Sequence, residues 1–168
     1  MARMDLNLVD TYATEALGKA LAQAMSITLD SGVVYLWGEL GAGKTTCVRA
    51  LLRAAGVVGP VRSPTYTLVE EYPCGILHYI HIDLYRLRVP EELEDLGLRD
   101  YLRPGHRLLI EWPEKGGKHL PPADLELSFQ YHHNSRRASV IARSSLGANW
   151  LVKLGIDNSL NPYVSNLT

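Results

Sequence analysis

The sequence predicts an α/β domain of three layers, with a mainly parallel central sheet and an antiparallel hairpin extension. Three observations lead there. The apolar run Val33-Val34-Tyr35-Leu36-Trp37 has the character of a buried parallel strand. It is followed by the glycine-rich "GELGAGKT", residues 38–45, and then by "TCVRALLRAA", in which Val48, Leu51, Leu52 and Ala55 recur at helical spacing. Farther on, two β-rich segments flank the short "PCG", the pattern of an antiparallel hairpin.

In chain order, "MARMDLNLVD" carries Asp5 and Asp10 in place of a continuous apolar segment, so nothing there argues for export. "TEALGKALAQAM" sets Leu17, Ala20, Leu21 and Ala24 on one helical face, with Thr14 as the expected cap. After the strand, loop and helix, Gly56 stands where a helix end requires φ > 0. Pro64 keeps Ser63 out of helix, so the segment before the β-rich stretch Tyr66–Tyr72 is expected to be extended. In "ILHYIHIDLYRL", Ile80, Ile82 and Leu84 take one face, and Tyr79, His81, Asp83 and Tyr85 take the other. Pro90 and the acidic "EELED" open a helix, because carboxylates suit its positive end. Its apolar contacts are Leu93, Leu96 and Leu98, and "RPG" closes the segment. "RLLIEWPE" gives a short buried strand ending in Glu111, and "DLELSFQY" with "ASVIARS" forms a closing pair of strands. Residues 1–152 read as one domain, and the polar, aperiodic 153–168 as a frayed, flexible tail.

The loop carries the chemistry. Its spacing is G-x-x-x-x-G-K-[ST] between a strand and a helix, which makes the domain P-loop NTPase-like. Gly41 and Gly43 lack a Cβ, so the backbone can curl round an anion and aim its N–H groups, with the helix dipole, at phosphate. Lys44 would reach the β- and γ-phosphates and the Thr45 hydroxyl would be a Mg²⁺ ligand. Glu39, Leu40, Gly41, Ala42, Gly43, Lys44, Thr45 and Thr46 are therefore the candidate nucleotide contacts. The plain alternative is a glycine turn that binds nothing.

Turnover also needs a carboxylate for the metal and a group that positions the attacking oxygen. Glu111 ends an apolar strand, at the edge where open α/β sheets bind ligands, and Asp83 lies near the end of its own strand. A surface carboxylate in a salt bridge is the competing reading for each. His81 reads as a hydrogen-bonded strand residue, while His132 and His133 lie in an exposed turn beside Arg136 and Arg137. Trp112 either stacks near the nucleotide or packs into the core.

Composition narrows the setting. The 168 residues suit one domain with a full core, and 46% hydrophobic with 21% charged residues is ordinary for a folded soluble chain. A formal charge of −1 gives no bulk attraction to nucleic acid or anionic membrane, so any RNA contact is expected to be local or indirect. Cys47 and Cys74 are not spaced as metal or disulfide pairs, which points to reducing cytoplasm. No apolar run approaches a membrane span.

The order "GELGAGKTT", "SPTYTLVEEY", "HIDLYRL", "IEWPEK" resembles the bacterial TsaE (YjeE) family of small P-loop ATPases, required for threonylcarbamoyl modification of tRNA adenosine. The glycine loop is shared by many families. Ser63-Pro64-Thr65 with Asp83-Leu84-Tyr85-Arg86 and Glu111-Trp112-Pro113 is far more specific. The resemblance implies that Gly41, Gly43, Lys44 and Thr45 bind the triphosphate of ATP and Mg²⁺, and that Thr65 senses the γ-phosphate. It implies that Asp83 and Glu111 serve metal and catalytic water; Glu111 is taken as the metal side and Asp83 as the water side, in an assignment that either order would satisfy. The implied partners are TsaD and TsaB, with ATP hydrolysis resetting their assembly. The hairpin and "RVPEELEDLGLRDYLRP" are candidate partner surfaces. The rival readings are a P-loop small-molecule kinase, with Arg99, Arg103, Arg136 and Arg137 as lid candidates, a GTPase, disfavoured because N-K-x-D is absent, and a nucleotide-gated scaffold without productive turnover.

Overall fold

The computed structural model describes residues 1–168. Its chain order is β1 (Arg3–Leu8), α1 (Thr11–Met25), β2 (Gly32–Trp37), α2 (Lys44–Ala55), β3 (Val69–Cys74), β4 (Leu77–Asp83), α3 (Glu92–Asp95), β5 (His106–Glu111), β6 (Leu125–His132), β7 (Ser135–Ala142), α4 (Ser145–Gly155) and β8 (Val164–Leu167). The eight strands form one sheet in the order β3-β4-β5-β2-β6-β7-β1-β8.

The alternation in each strand assigns its faces. Val34 and Leu36 of β2, Leu109 of β5, and Leu125, Leu127 and Phe129 of β6 meet α1, α2 and α4 in the larger core. Val33 of β2, Ile80 and Ile82 of β4, and Leu108 and Ile110 of β5 form the opposite core, closed by Leu93 of α3 with Leu98 and Leu120. The faces expected of the long strand are therefore the ones observed. The buried face of α1 contains Leu17, Ala20, Leu21 and Ala24, as its periodicity requires. α1 lies close to α2 because Gly18 has no side chain: a Cβ there would stand 2.4 Å from the Cys47 carbonyl oxygen.

The α/β class holds, but the sheet is mixed instead of mainly parallel. Only β4–β5, β5–β2 and β2–β6 pair parallel. The hairpins β3–β4 and β6–β7 and the pairs β1–β7 and β1–β8 are antiparallel. The expected hairpin is thus β3–β4, and the excess antiparallel pairing comes from both chain ends. The Asp5-containing N-terminal segment is strand β1, with Met4, Leu6 and Leu8 buried on alternate positions. The tail expected to fray from 153 is likewise ordered: α4 runs to Gly155, Leu160 is fully buried, and β8 pairs along β1. Its polarity misled because an edge strand needs mainly backbone partners. The three-layer expectation holds over half of the sheet. Beyond it, Asp5, Asn7, Ser128, Gln130, Arg137 and Ser139 line a polar groove.

Three local expectations also shift. Asp10, not Thr14, caps α1, its carboxylate accepting from the Ala13 amide at 2.8 Å, while Thr14 is buried inside the helix. β3 starts at Val69 rather than Tyr66, because the Leu68 amide turns back to the Pro64 carbonyl at 2.7 Å. The "EELED" helix stops after one turn, where Gly97 takes φ 60°.

Candidate functional site

The parallel strands β4, β5 and β2 end at one edge of the sheet, and the 38–45 loop leaves β2 there. The resulting cleft, about 380 Å³, is lined by loop residues with Thr65, Asp83, Arg86, Glu111 and Trp112 among others. The loop turns through Gly38, Gly41 and Gly43 at φ 143°, 74° and 114°, values that side chains tolerate poorly. α2 then begins with no side-chain cap. The amides of Gly41, Gly43, Lys44, Thr45 and Thr46 have no partner among the chain's hydrogen bonds. Open amides at the positive end of a twelve-residue helix suit an anion with several oxygens.

Lys44 is buried, and its Nζ donates to the Gly38 carbonyl at 2.5 Å and the Glu39 carbonyl at 2.9 Å. The same ammonium lies 4.1 Å from the centre of the Trp112 ring. Burial lowers its pKa, against the opposing pull of Glu111, Asp83 and Glu114. Trp112 holds φ 58°, packs against Tyr85 with ring centres 5.0 Å apart, and so belongs to the lysine's side of the cleft.

Adjacent strands bring the two acids together: Asp83 and Glu111 are register partners across β4 and β5. Both are buried, so neither is the exposed salt-bridge partner of the competing reading. The Thr45 hydroxyl lies 2.9 and 3.0 Å from the two Glu111 oxygens. Asp83 accepts from the Thr65 hydroxyl at 3.2 Å and the Tyr85 amide at 2.9 Å, and Ser63 extends the chain to Thr65 at 2.7 Å. Burial raises the Asp83 pKa; the Tyr85 amide and Thr65 hydroxyl oppose this, and the charge of Glu111 adds to it. No group of three His, Cys, Asp or Glu side chains assembles as a cation cage. A hydroxyl beside one or two carboxylates is the protein share of a Mg²⁺ site completed by phosphate and water.

Every site residue singled out in the sequence, except Glu39 and Ala42, lines this cleft; Glu39 binds Lys44 through its carbonyl, and Ala42 is buried beneath the loop. Three residues outside that set bear on the site: His81 is read in the sequence only as a hydrogen-bonded strand residue, Arg136 only as a lid candidate, and Tyr131 not at all. His81, 1% exposed, places Nε2 2.8 Å from Glu111 Oε1. Tyr131 donates to the Leu40 carbonyl at 2.7 Å and Arg136 to the Gly41 carbonyl at 3.0 Å, so the β6–β7 hairpin braces the loop. The alternation that put His81 on the same strand face as Asp83 was a usable signal; nothing local linked positions 131 and 136 to positions 40 and 41. Of the lid candidates, Arg136 touches the loop, and none of Arg99, Arg103, Arg136 and Arg137 lines the cleft.

Comparison with known proteins gives a consistent result. The family described as "Threonylcarbamoyl adenosine biosynthesis protein TsaE" matches residues 8–139. A protein of Haemophilus influenzae named tRNA threonylcarbamoyladenosine biosynthesis protein TsaE is 45% identical over 142 residues, covering 83% of this chain and 90% of its own length. A Bacillus subtilis protein of the same name is 34% identical over 127 residues, covering 76% and 77%. The crystal structure of YdiB from Bacillus subtilis superposes with a TM-score of 0.76 at 25% identity, over 92% of this chain and 96% of that one.

Proposed function

The chain belongs to the TsaE family of tRNA threonylcarbamoyladenosine biosynthesis, and from that membership and the cleft geometry we propose that it is a P-loop, Mg²⁺-dependent ATPase serving that modification. The observation that carries the reading is the Thr45–Glu111 contact, set beside the buried Lys44 at the mouth of a loop with unpaired amides.

In this reading Lys44 leaves the Gly38 and Glu39 carbonyls for the β- and γ-phosphate oxygens, and the loop amides hold the rest of the chain of phosphates. Thr45 and Glu111 would hold a Mg²⁺, whose positive charge would offset the negative charge of the phosphate oxygens. Asp83 orients the attacking water and takes its proton, a role for which burial raises its pKa in the useful direction. Thr65, tied to Asp83, reports whether a γ-phosphate is present. Trp112 lies over Lys44, which favours contact with the phosphate end of the nucleotide over stacking on its base.

TsaD and TsaB are the proposed protein partners, with tRNA contacted through their assembly, and the setting is the cytoplasm. Two free cysteines suit a reducing compartment, and no helix is long and apolar enough to cross a membrane. The test is phosphate release from Mg-ATP, alone and with TsaD and TsaB added. Slow release that rises on addition supports the reading. Unchanged release in the presence of both partners, together with phosphorylation of a small acceptor, would replace it with the kinase.

A further inference from the structure

Glu111 is held from two sides. Thr45 has a single hydroxyl proton to share between Oε1 and Oε2 at 2.9 and 3.0 Å. A cation that takes a lone pair of the Thr45 oxygen leaves this proton in place, but one proton fixes at most one of the two carboxylate oxygens at a time. The other contact comes from behind: His81 Nε2 reaches Oε1 at 2.8 Å, with both side chains at 2% exposure or less. The Nε2–H tautomer of His81 makes this bond with Glu111 as the acceptor. His81 Nδ1, also buried, has no partner, so the ring's one hydrogen bond is the one to Glu111.

His81 lies on β4 two residues before Asp83, and it pairs in register with Leu109, two residues before Glu111. Its bond therefore runs diagonally from β4 to β5 and ties the strand that carries one acid to the side chain of the other. A buried imidazole kept merely for packing would gain nothing from pointing a polar atom at a carboxylate while leaving its second nitrogen unpaired.

We propose that His81 is a positioning residue that holds the Glu111 carboxylate in place for a divalent cation shared with Thr45. This rests on the ATPase reading above and assigns the support of its metal side. Outer partners of metal ligands fix ligand orientation, and their loss costs about 10- to 100-fold in metal affinity.

The experiment measures ADP and ATP binding to the full chain, in EDTA and across a Mg²⁺ titration, for the wild type, His81→Leu and His81→Gln. The leucine variant is expected to need about 10- to 100-fold more Mg²⁺ for half its effect on binding. Its affinity in EDTA should stay within about threefold, and glutamine, whose amide can still donate, should recover most of the loss. In a Glu111→Gln background His81→Leu should add less than about twofold, because the two act as one unit. Thermal melting checks folding, and His81→Asn, too short to reach Glu111, replaces the leucine variant if that one does not fold. Wild-type Mg²⁺ dependence in the leucine variant, equal losses with and without Mg²⁺, or full additivity with Glu111→Gln would each overturn the proposal. A wild-type chain that binds no nucleotide at all would instead overturn the ATPase reading.

Discussion

The Thr45 hydroxyl bridges to the Glu111 carboxylate across 66 residues of sequence, 2.9 Å from one oxygen and 3.0 Å from the other. The contact joins the first turn of the loop helix to the end of the neighbouring strand. It exists because β2 and β5 are parallel neighbours, so the loop and helix that leave β2 face the last residue of β5.

If that pair and Asp83 act on the phosphate after it binds, the conservative variants separate binding from turnover. Glu111→Gln and Asp83→Asn are each expected to lower ATP turnover by about 100-fold or more while nucleotide affinity changes by less than about fivefold. Steady-state phosphate release beside equilibrium binding decides this; wild-type turnover in both variants would remove the acids from the chemistry.

Lys44→Ala acts earlier. The loop loses the one cation that it now holds against the Gly38 and Glu39 carbonyls. Charge-assisted hydrogen bonds contribute about 1.5–3 kcal/mol, so triphosphate affinity should fall by about 10- to 100-fold. Isothermal titration with ATP measures it, and retained tight binding contradicts the phosphate role.

Asp83 also makes a prediction about pH. Burial holds its folded-state pKa above the ordinary 3.8, so the native state keeps this proton to higher pH than the unfolded chain does. The sign is then a loss of stability as pH rises through the unfolded and then the folded pKa, with no contribution below both. Asp83→Asn should melt at a higher temperature than the wild type at pH 7, and the gap should close on acidification below pH 3.8. A gap that widens in acid would mean that the ionised form is the one the fold stabilises.

The cap of α1 rests on a single side chain. Asp10→Ala removes the 2.8 Å bond to the Ala13 amide and should cost about 1 kcal/mol, or about 2–4 °C in Tm. Thermal melting by circular dichroism reads this directly, and an unchanged Tm would show that the amide is satisfied by water.

The C-terminal segment should contribute to stability. Leu160 is fully buried between α4 and β8, and Leu160→Ala is expected to cost about 2–5 kcal/mol. Urea denaturation measures it. A change below about 0.5 kcal/mol would return this segment to the frayed tail its composition suggests.

Legibility in the sequence tracked the range of the interactions involved. Strand β2, the glycine turns and α2 were readable because each is a local pattern: an apolar run, residues that tolerate φ > 0, and a 3.6-residue period. The hairpins were readable for the same reason. Strands β1 and β8 were not, since a strand that borrows its partners from the far end of the chain has no local signature beyond alternation, and β8 lacks even that. Asp10 was passed over for Thr14 although both are good caps, because the true start of α1 is set by where β1 ends.

The sequence by itself determined the glycine-rich loop between strand and helix, the placing of two acids near strand ends, and the family, because these depend on residue type and spacing within short segments. Only the tertiary structure decided what each acid touches. Parallel pairing of β4 with β5 and of β5 with β2 sets Asp83 beside Glu111 and Glu111 beside Thr45, and it buries His81 against the same carboxylate. The register of strands distant in sequence is fixed by hydrophobic packing over the whole sheet, and no short stretch of sequence contains it.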